Sequence, residues 1–282
     1  MTASGESRPP YSGIAELLPD WDAPPQVRAF VTGRRGGVSR GPWGLYGGKA
    51  GGLNLGAHCG DAAADVAENR ARLLACLPAP PRWLSQVHGA AVLLAHAGDA
   101  GTSATRGRAA SADARPEPQA DAAVTADIGV VLAVLTADCL PVLLTDTRGR
   151  AVAVAHAGWR GLALGVLERG VDALRASAGR DATVLAWLGP AIGPRAFEVG
   201  ADVLHAFCDV DPSCAAAFAP GEREGKWFAD LYHLARIRLA RAGVHRVAGG
   251  GHCTVEERER FYSYRRDRIS GRMATLIWLD PG

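Results

Sequence analysis

Three short segments place side chains that can bind metal or act as nucleophiles where an apolar run meets glycine or proline. They are WLSQVHG (83–89), LTADCLP (135–141) and AVAVAHAGWRG (151–161). Each apolar run reads as a strand, so His88, Cys139 and His156 sit where the chain leaves a sheet. In α/β proteins a rigid framework aims loop side chains into a crevice at such points. Together the three form a His2Cys set. Imidazole and thiolate suit Zn2+, and three protein ligands leave a fourth position for water or substrate. Copper is the alternative ion, because it binds N/S sites more tightly on the affinity series. Without a metal, Cys139 is a candidate nucleophile with His156 or His88 as its base. The spacing is non-local and matches no zinc-finger pattern, so spacing does not separate these readings from packed core residues.

Around this set lie further candidates. Asp138 precedes Cys139 and can orient a ligand, carry a proton or make a structural hydrogen bond. Arg160 follows a glycine at the start of an expected helix, where a guanidinium and free N–H groups suit a phosphate. Arg34, in a glycine-rich turn, is a second candidate for the same anion. His58 and Cys59 resemble a ligand pair, but neighbours on a strand point to opposite faces, and local packing is the preferred reading. Neither glycine-rich segment is a Walker loop or a dinucleotide fingerprint, which argues against ATP and NAD. The deaminase signature His-x-Glu with Pro-Cys-x-x-Cys is also missing, since His156 is followed by Ala157 and Gly158.

The elements that must position these groups follow from apolar patterning. Strands are expected at 28–32, 83–87, 122–125, 130–136, 142–145, 151–155, 183–188 and 274–279. Several are continuously apolar, as in strands covered on both faces. Helices are expected at 65–77, 162–178 and 228–242, the second with Leu164, Leu167, Val171, Leu174 and Ala178 on one stripe. Tyr262, Tyr264, Arg265 and Arg266 read as part of a strand. Residues 1–20 read as an irregular arm. Residues 98–119, rich in Gly, Ala, Ser and Pro, read as a mobile insertion in a single catalytic domain spanning 21–282. Apolar strands on both sides of this insertion favour one mixed α/β (α+β) core in a single domain over separate domains.

The chain has 282 residues, 48% hydrophobic and 21% charged, enough for a buried core. A net charge of +2 gives no electrostatic case for nucleic acid or an anionic membrane. Lys49 and Lys226 are the only lysines, so the arginine excess reads as compositional bias. The longest apolar stretch, 128–135, is well short of the ~20 residues that span a bilayer. No secretory signal is visible, and six cysteines without a CxxC pair do not form a disulfide scaffold, so a reduced cytoplasmic setting is expected.

The same three segments occur with RRGGVS (34–39), NLGAHCGD (54–61), LGPAIGP (188–194), FEVG (197–200), CT (253–254) and FYSYRR followed by GR (261–272). In combination they resemble the bacterial multicopper polyphenol oxidoreductase, or laccase-like, family. Its members are also described as purine nucleoside phosphorylases with adenosine deaminase activity and as peptidoglycan editing factors. The resemblance implies zinc held by His88, Cys139 and His156 and a single-domain α/β fold with a layered mixed β-sheet core flanked by helices, and Arg34 matches the position of a family arginine. Catalytic roles for Cys139, His156 and Asp138 and phosphate binding by Arg34 and Arg160 rest on the residue types and positions given above. The resemblance also implies phosphorolysis of adenosine, inosine or methylthioadenosine and deamination of adenosine. A copper-dependent polyphenol oxidase, and a cysteine or zinc amidase editing peptidoglycan precursors, are the alternatives. Multicopper sites need clustered histidines, and none of the eight here forms a His-x-His pair. Between GGVS and NLG this chain carries the glycine-rich GPWGLYGGKAGG (41–52).

Overall fold

Alternation along the apolar strands decides the layering. In the strand Leu140–Asp146, Val142 and Leu144 face helices while Leu143 faces a second sheet. The structure, a computed structural model, describes residue 11 and residues 13–99 and 116–281. Residues 1–10 and 12 of the arm, and 100–115 of the insertion, lie outside the described residues.

The larger sheet is mixed and six-stranded. Its order is Arg246–Gly249, Val184–Leu188, Leu140–Asp146, Val152–Ala157, Ala122–Thr125 and Val92–Leu94. The second sheet is antiparallel, in the order Ala15–Leu17, Val27–Thr32, Met273–Leu279 and Leu132–Thr136. Val31, Val134 and Ile277 of the second sheet pack on Ala123, Leu143, Val154 and Trp187 of the first. The helices Val166–Ala178 and Leu231–Arg241 cover the outer face of the first sheet, and the helix Ala63–Leu74 covers part of the outer face of the second. The result is a mixed α/β domain of helix–sheet–sheet–helix layers, with a small three-stranded sheet at Glu198–Gly200, Lys226–Ala229 and Phe218–Pro220. No described helix is long and apolar enough to cross a membrane.

Several elements differ from expectation for identifiable reasons. Ala15–Leu17 is not irregular: it pairs antiparallel with the strand Val27–Thr32. The run 83–87 makes only isolated bridges, at Arg82 and Ser85. The expected helix 162–178 is two helices, Trp159–Ala163 and Val166–Ala178, because Gly165 adopts φ +87°. That break takes Leu164 off the stripe and leaves it 61% exposed. Lys226–Ala229 is strand, and the helix after it begins only where the Asp230 side chain accepts the His233 N–H. Tyr264–Asp267 is a helical turn capped by Ser263, not a strand.

One buried side chain ties both ends of the glycine-rich loop 35–54 together, beside the loop's own backbone hydrogen bonds. Asn69 Oδ1 accepts from the Val38 N–H, while Nδ2 donates to Ser39 Oγ and to the carbonyls of Asn54 and Gly52. Asn69→Ala strips partners from several buried groups at about 1–3 kcal/mol for each group left unpaired. Chemical denaturation is expected to show a loss of about 2–4 kcal/mol; an unchanged midpoint would show that the loop holds itself.

Candidate metal centre

Cys139 lies in the turn 137–139, where the chain passes from the strand Leu132–Thr136 of one sheet into Leu140–Asp146 of the other. His156 stands two register steps away, in Val152–Ala157, opposite Pro141. His88 comes from the loop that follows the Ser85 bridge. These three elements bring the donor atoms of His88, Cys139 and His156 within 4.8 Å of one another, the only such group among the described residues. Cys139 Sγ lies 3.8 Å from His88 Nε2.

Asp121, which the sequence reading did not single out, holds the group together. Its fully buried carboxylate accepts from His156 Nδ1 at 2.9 Å and from the backbone N–H groups of Val87, His88 and Gly89 at 3.2, 2.9 and 2.7 Å. A carboxylate only accepts, so His156 carries its proton on Nδ1 and turns Nε2 toward the centre. Burial works to raise the Asp121 carboxyl, but His156 and the Gly89 and Val87 amides overcome it and hold the carboxyl below its usual range. Burial would also raise the Cys139 thiol, but the His156 and His88 imidazoles bring it down to about 6. Burial would lower His156, but the Cys139 thiolate and Asp121 raise it to about 9. The cradle therefore presents a thiolate at neutral pH.

The backbone is shaped to the same end. His88 and Asp138 both take positive φ, +59° and +89°, a region few side-chain-bearing residues adopt, His and Asp more readily than most. A Cβ on Gly158 would lie 2.8 Å from Cys139 Sγ and 3.1 Å from His88 Cδ2, so a side chain there would fill the cradle.

The cradle opens into a cavity of about 850 Å³. Trp159, Phe197 and Tyr264 give it aromatic walls, and Arg160, Arg265, Arg268 and Arg272 line it. Arg265 donates to the Glu198 carbonyl and Arg272 to those of Ser270 and Gly271, whereas the guanidinium groups of Arg160 and Arg268 make no hydrogen bond among the described residues, that of Arg160 lying over the Trp159 ring. Asp138 also lines the cavity, yet both its oxygens are engaged, by Thr254 Oγ1 and by the Arg265 N–H, each at 2.6 Å. Arg34 is not brought to this cavity. It is buried beside Tyr262, donating to the carbonyls of Gly44 and Arg258, and borders a separate depression formed with the 41–48 loop. His58 does face the cavity.

These features coincide with a known family. A family model described as multi-copper polyphenol oxidoreductase laccase matches residues 28–280, and the chain belongs to that family. Among its relatives, a purine nucleoside phosphorylase of Pseudomonas aeruginosa is 48% identical over 94% of this chain and 99% of that protein. The purine nucleoside phosphorylase YfiH of Escherichia coli is 47% identical over 93% of this chain and 98% of its own. The crystal structure of a Neisseria meningitidis protein superposes with a TM-score of 0.80 at 46% identity, covering 94% of this chain and 98% of that one.

Asp121→Asn keeps the shape of the side chain but removes the charge and turns an amide donor toward groups that themselves donate. Cation affinity, measured by competition with a chromogenic chelator, is expected to fall by about 10- to 100-fold. Gly158→Ala is expected to weaken binding through crowding at the sulfur. Native affinity in both variants would show that neither group shapes the cradle.

Proposed function

We propose that the protein is a zinc-dependent purine nucleoside phosphorylase that also deaminates adenosine. The observation that carries this reading is the His88–Cys139–His156 cradle opening directly into a cavity with aromatic and arginine-bearing walls. The activity in the names of the relatives supports the choice of substrate. Tetrahedral zinc with Zn–S about 2.3 Å and Zn–N about 2.0–2.1 Å needs sulfur and nitrogen roughly 3.6 Å apart. The 3.8 Å between Cys139 Sγ and His88 Nε2 fits that requirement.

Zinc held by these three residues supplies Lewis-acid polarisation and makes water a nucleophile near neutral pH. The chain supplies the rest. Trp159, Phe197 and Tyr264 offer ring faces to a purine. Arg160, free of other hydrogen bonds, is the residue assigned to phosphate, and a guanidinium fork matches its oxygens. Arg34 shapes the glycine-rich loop, and Asp138 orients Cys139 through the turn they share. Adenosine, inosine and methylthioadenosine are the proposed nucleosides.

A thiol amidase, as in editing of peptidoglycan precursors, has one observation in its favour. Without a cation, Cys139 and His156 form the thiolate–imidazolium pair that such hydrolases use. Copper suits the same donors, but laccase chemistry needs several clustered ions, and the described residues form one group.

Protein purified without added metal is expected to hold about one zinc, lost with activity in Cys139→Ser. A fully active metal-free preparation would favour the amidase instead. Inosine cleavage is expected to require phosphate and to release ribose 1-phosphate. Arg160→Ala is expected to cut kcat/KM for phosphate by about 10- to 100-fold, given about 1.5–3 kcal/mol for a charge-assisted hydrogen bond, while zinc content is unchanged. Equal cleavage without phosphate, giving free ribose, would refute phosphorolysis.

A further inference from the structure

Hydrolytic deamination needs a group that moves a proton from water to the departing amine. Zinc deaminases supply it as the glutamate of a His-x-Glu motif. Here Ala157 and Gly158 follow His156, and the cavity's Asp138 has both oxygens engaged. We propose that His58 is this proton carrier, an inference that rests on the deaminase reading above.

The case is geometric. His58 lines the same cavity as the cradle, and its ring makes no hydrogen bond among the described residues. The loop that carries it is nevertheless fixed on every side. Buried Asn54 accepts from the Gly56 and Arg272 N–H groups through Oδ1 and donates to Asp61 through Nδ2. Arg70 donates to the Leu55 carbonyl, the Leu55 N–H donates to the Arg272 carbonyl, and the Trp43 indole donates to the Cys59 carbonyl. A Cβ on Gly56 would strike Cys59 Sγ and Arg272, so this turn tolerates no added bulk. A rigid loop that presents one unengaged imidazole to a cavity is how a reacting group is held in place. Local packing, preferred on sequence grounds, explains Cys59 but leaves His58 without a partner.

The charges around the ring set its protonation state. Arg272 approaches from the segment before the last strand and Arg70 from the helix Ala63–Leu74. Asp61 lies in the same loop, and Glu117 on the cavity wall is paired with Arg70. Burial, then Arg272 and Arg70, keep the imidazole below its ordinary pKa, so it is neutral and basic at pH 7. In the step, water forms its bond to C6 of adenine as His58 takes one water proton and the C6=N1 π pair moves onto N1. That pair then re-forms C6=N1 as the C6–N6 bond breaks and the C6–N6 pair leaves with nitrogen. The imidazolium returns the proton to that nitrogen, giving the hydroxyl tautomer of inosine. Adenosine and water give inosine and ammonia, and His58 ends neutral.

The test is ammonia release from adenosine by the zinc-loaded protein, wild type against His58→Ala and His58→Gln. Both variants are expected to retain zinc and thermal midpoint while kcat falls by about 100-fold or more, with a smaller change in KM. The wild-type rate should fall as pH drops through the imidazole pKa, a limb that both variants lack. Added imidazole should restore part of the His58→Ala rate. A wild type that cleaves inosine with phosphate but releases no ammonia overturns the deaminase reading and this proposal together. A deaminating wild type matched by its variants overturns the proposal alone. So does a loss of rate that tracks a loss of zinc, or one that imidazole does not repair.

Discussion

One buried carboxylate organises the centre. Asp121 joins the loop 87–89 to the strand Val152–Ala157, because its oxygens accept from the amides of Val87, His88 and Gly89 and from the His156 ring. A buried charge is tolerated only when its acceptor capacity is filled, and four donors fill it here. The same bonds pull the His88 amide inward and hold that residue at positive φ, which directs its imidazole toward Cys139. Both histidines of the cradle thus depend on an anion that itself does not line the cavity.

The sandwich supplies the rest of the geometry. The chain passes between the two stacked sheets more than once, and the turn 137–139 joins the edge strand Leu132–Thr136 of one to the interior strand Leu140–Asp146 of the other. Asp138 secures it from outside: its carboxylate accepts from Thr254 and Arg265, and its carbonyl accepts from the Ile192 N–H. The C-terminal segments are thereby tied to the residue next to Cys139. Strain at Asp138 is stabilised by contacts from three distant stretches of chain, which explains how a non-glycine residue persists at φ +89°.

What was legible in the sequence was local and apolar. The strands at 122–125, 183–188 and 274–279 were visible because both faces are buried, and His88, Cys139 and His156 because each ends an apolar run. Asp121 was not, since a single acid ahead of an apolar strand has no periodicity; its only trace is a charge set among alanines. Arg34 looked like an anion ligand in a glycine-rich turn, yet its guanidinium is directed by carbonyls from Gly44 and Arg258, the second of them 224 residues away along the chain. The helix expected at 162–178 failed at Gly165 because a favourable stripe says nothing about one left-handed residue within it. His58 was passed over because neighbouring side chains were judged as if on a strand, whereas residues 57–60 form a turn.

Arginine abundance is a second case in which tertiary contacts separate what composition cannot. Four arginines line the cavity, and the sequence offers no means of ranking them. In the fold, Arg265 and Arg272 are held by backbone carbonyls and serve as walls. Arg160, with only the Trp159 ring beneath it, and Arg268 make no side-chain hydrogen bond among the described residues, so their guanidinium groups keep their donors open to an anion. A fixed guanidinium already has its hydrogen bonds and gains little from phosphate, whereas a free one exchanges water for a bidentate partner. The polar groups of the cavity divide on the same principle. Asp138, whose hydrogen bonds are filled, sets geometry, while the side chains of Arg160, Arg268 and His58 make no hydrogen bond among the described residues and are open to a ligand.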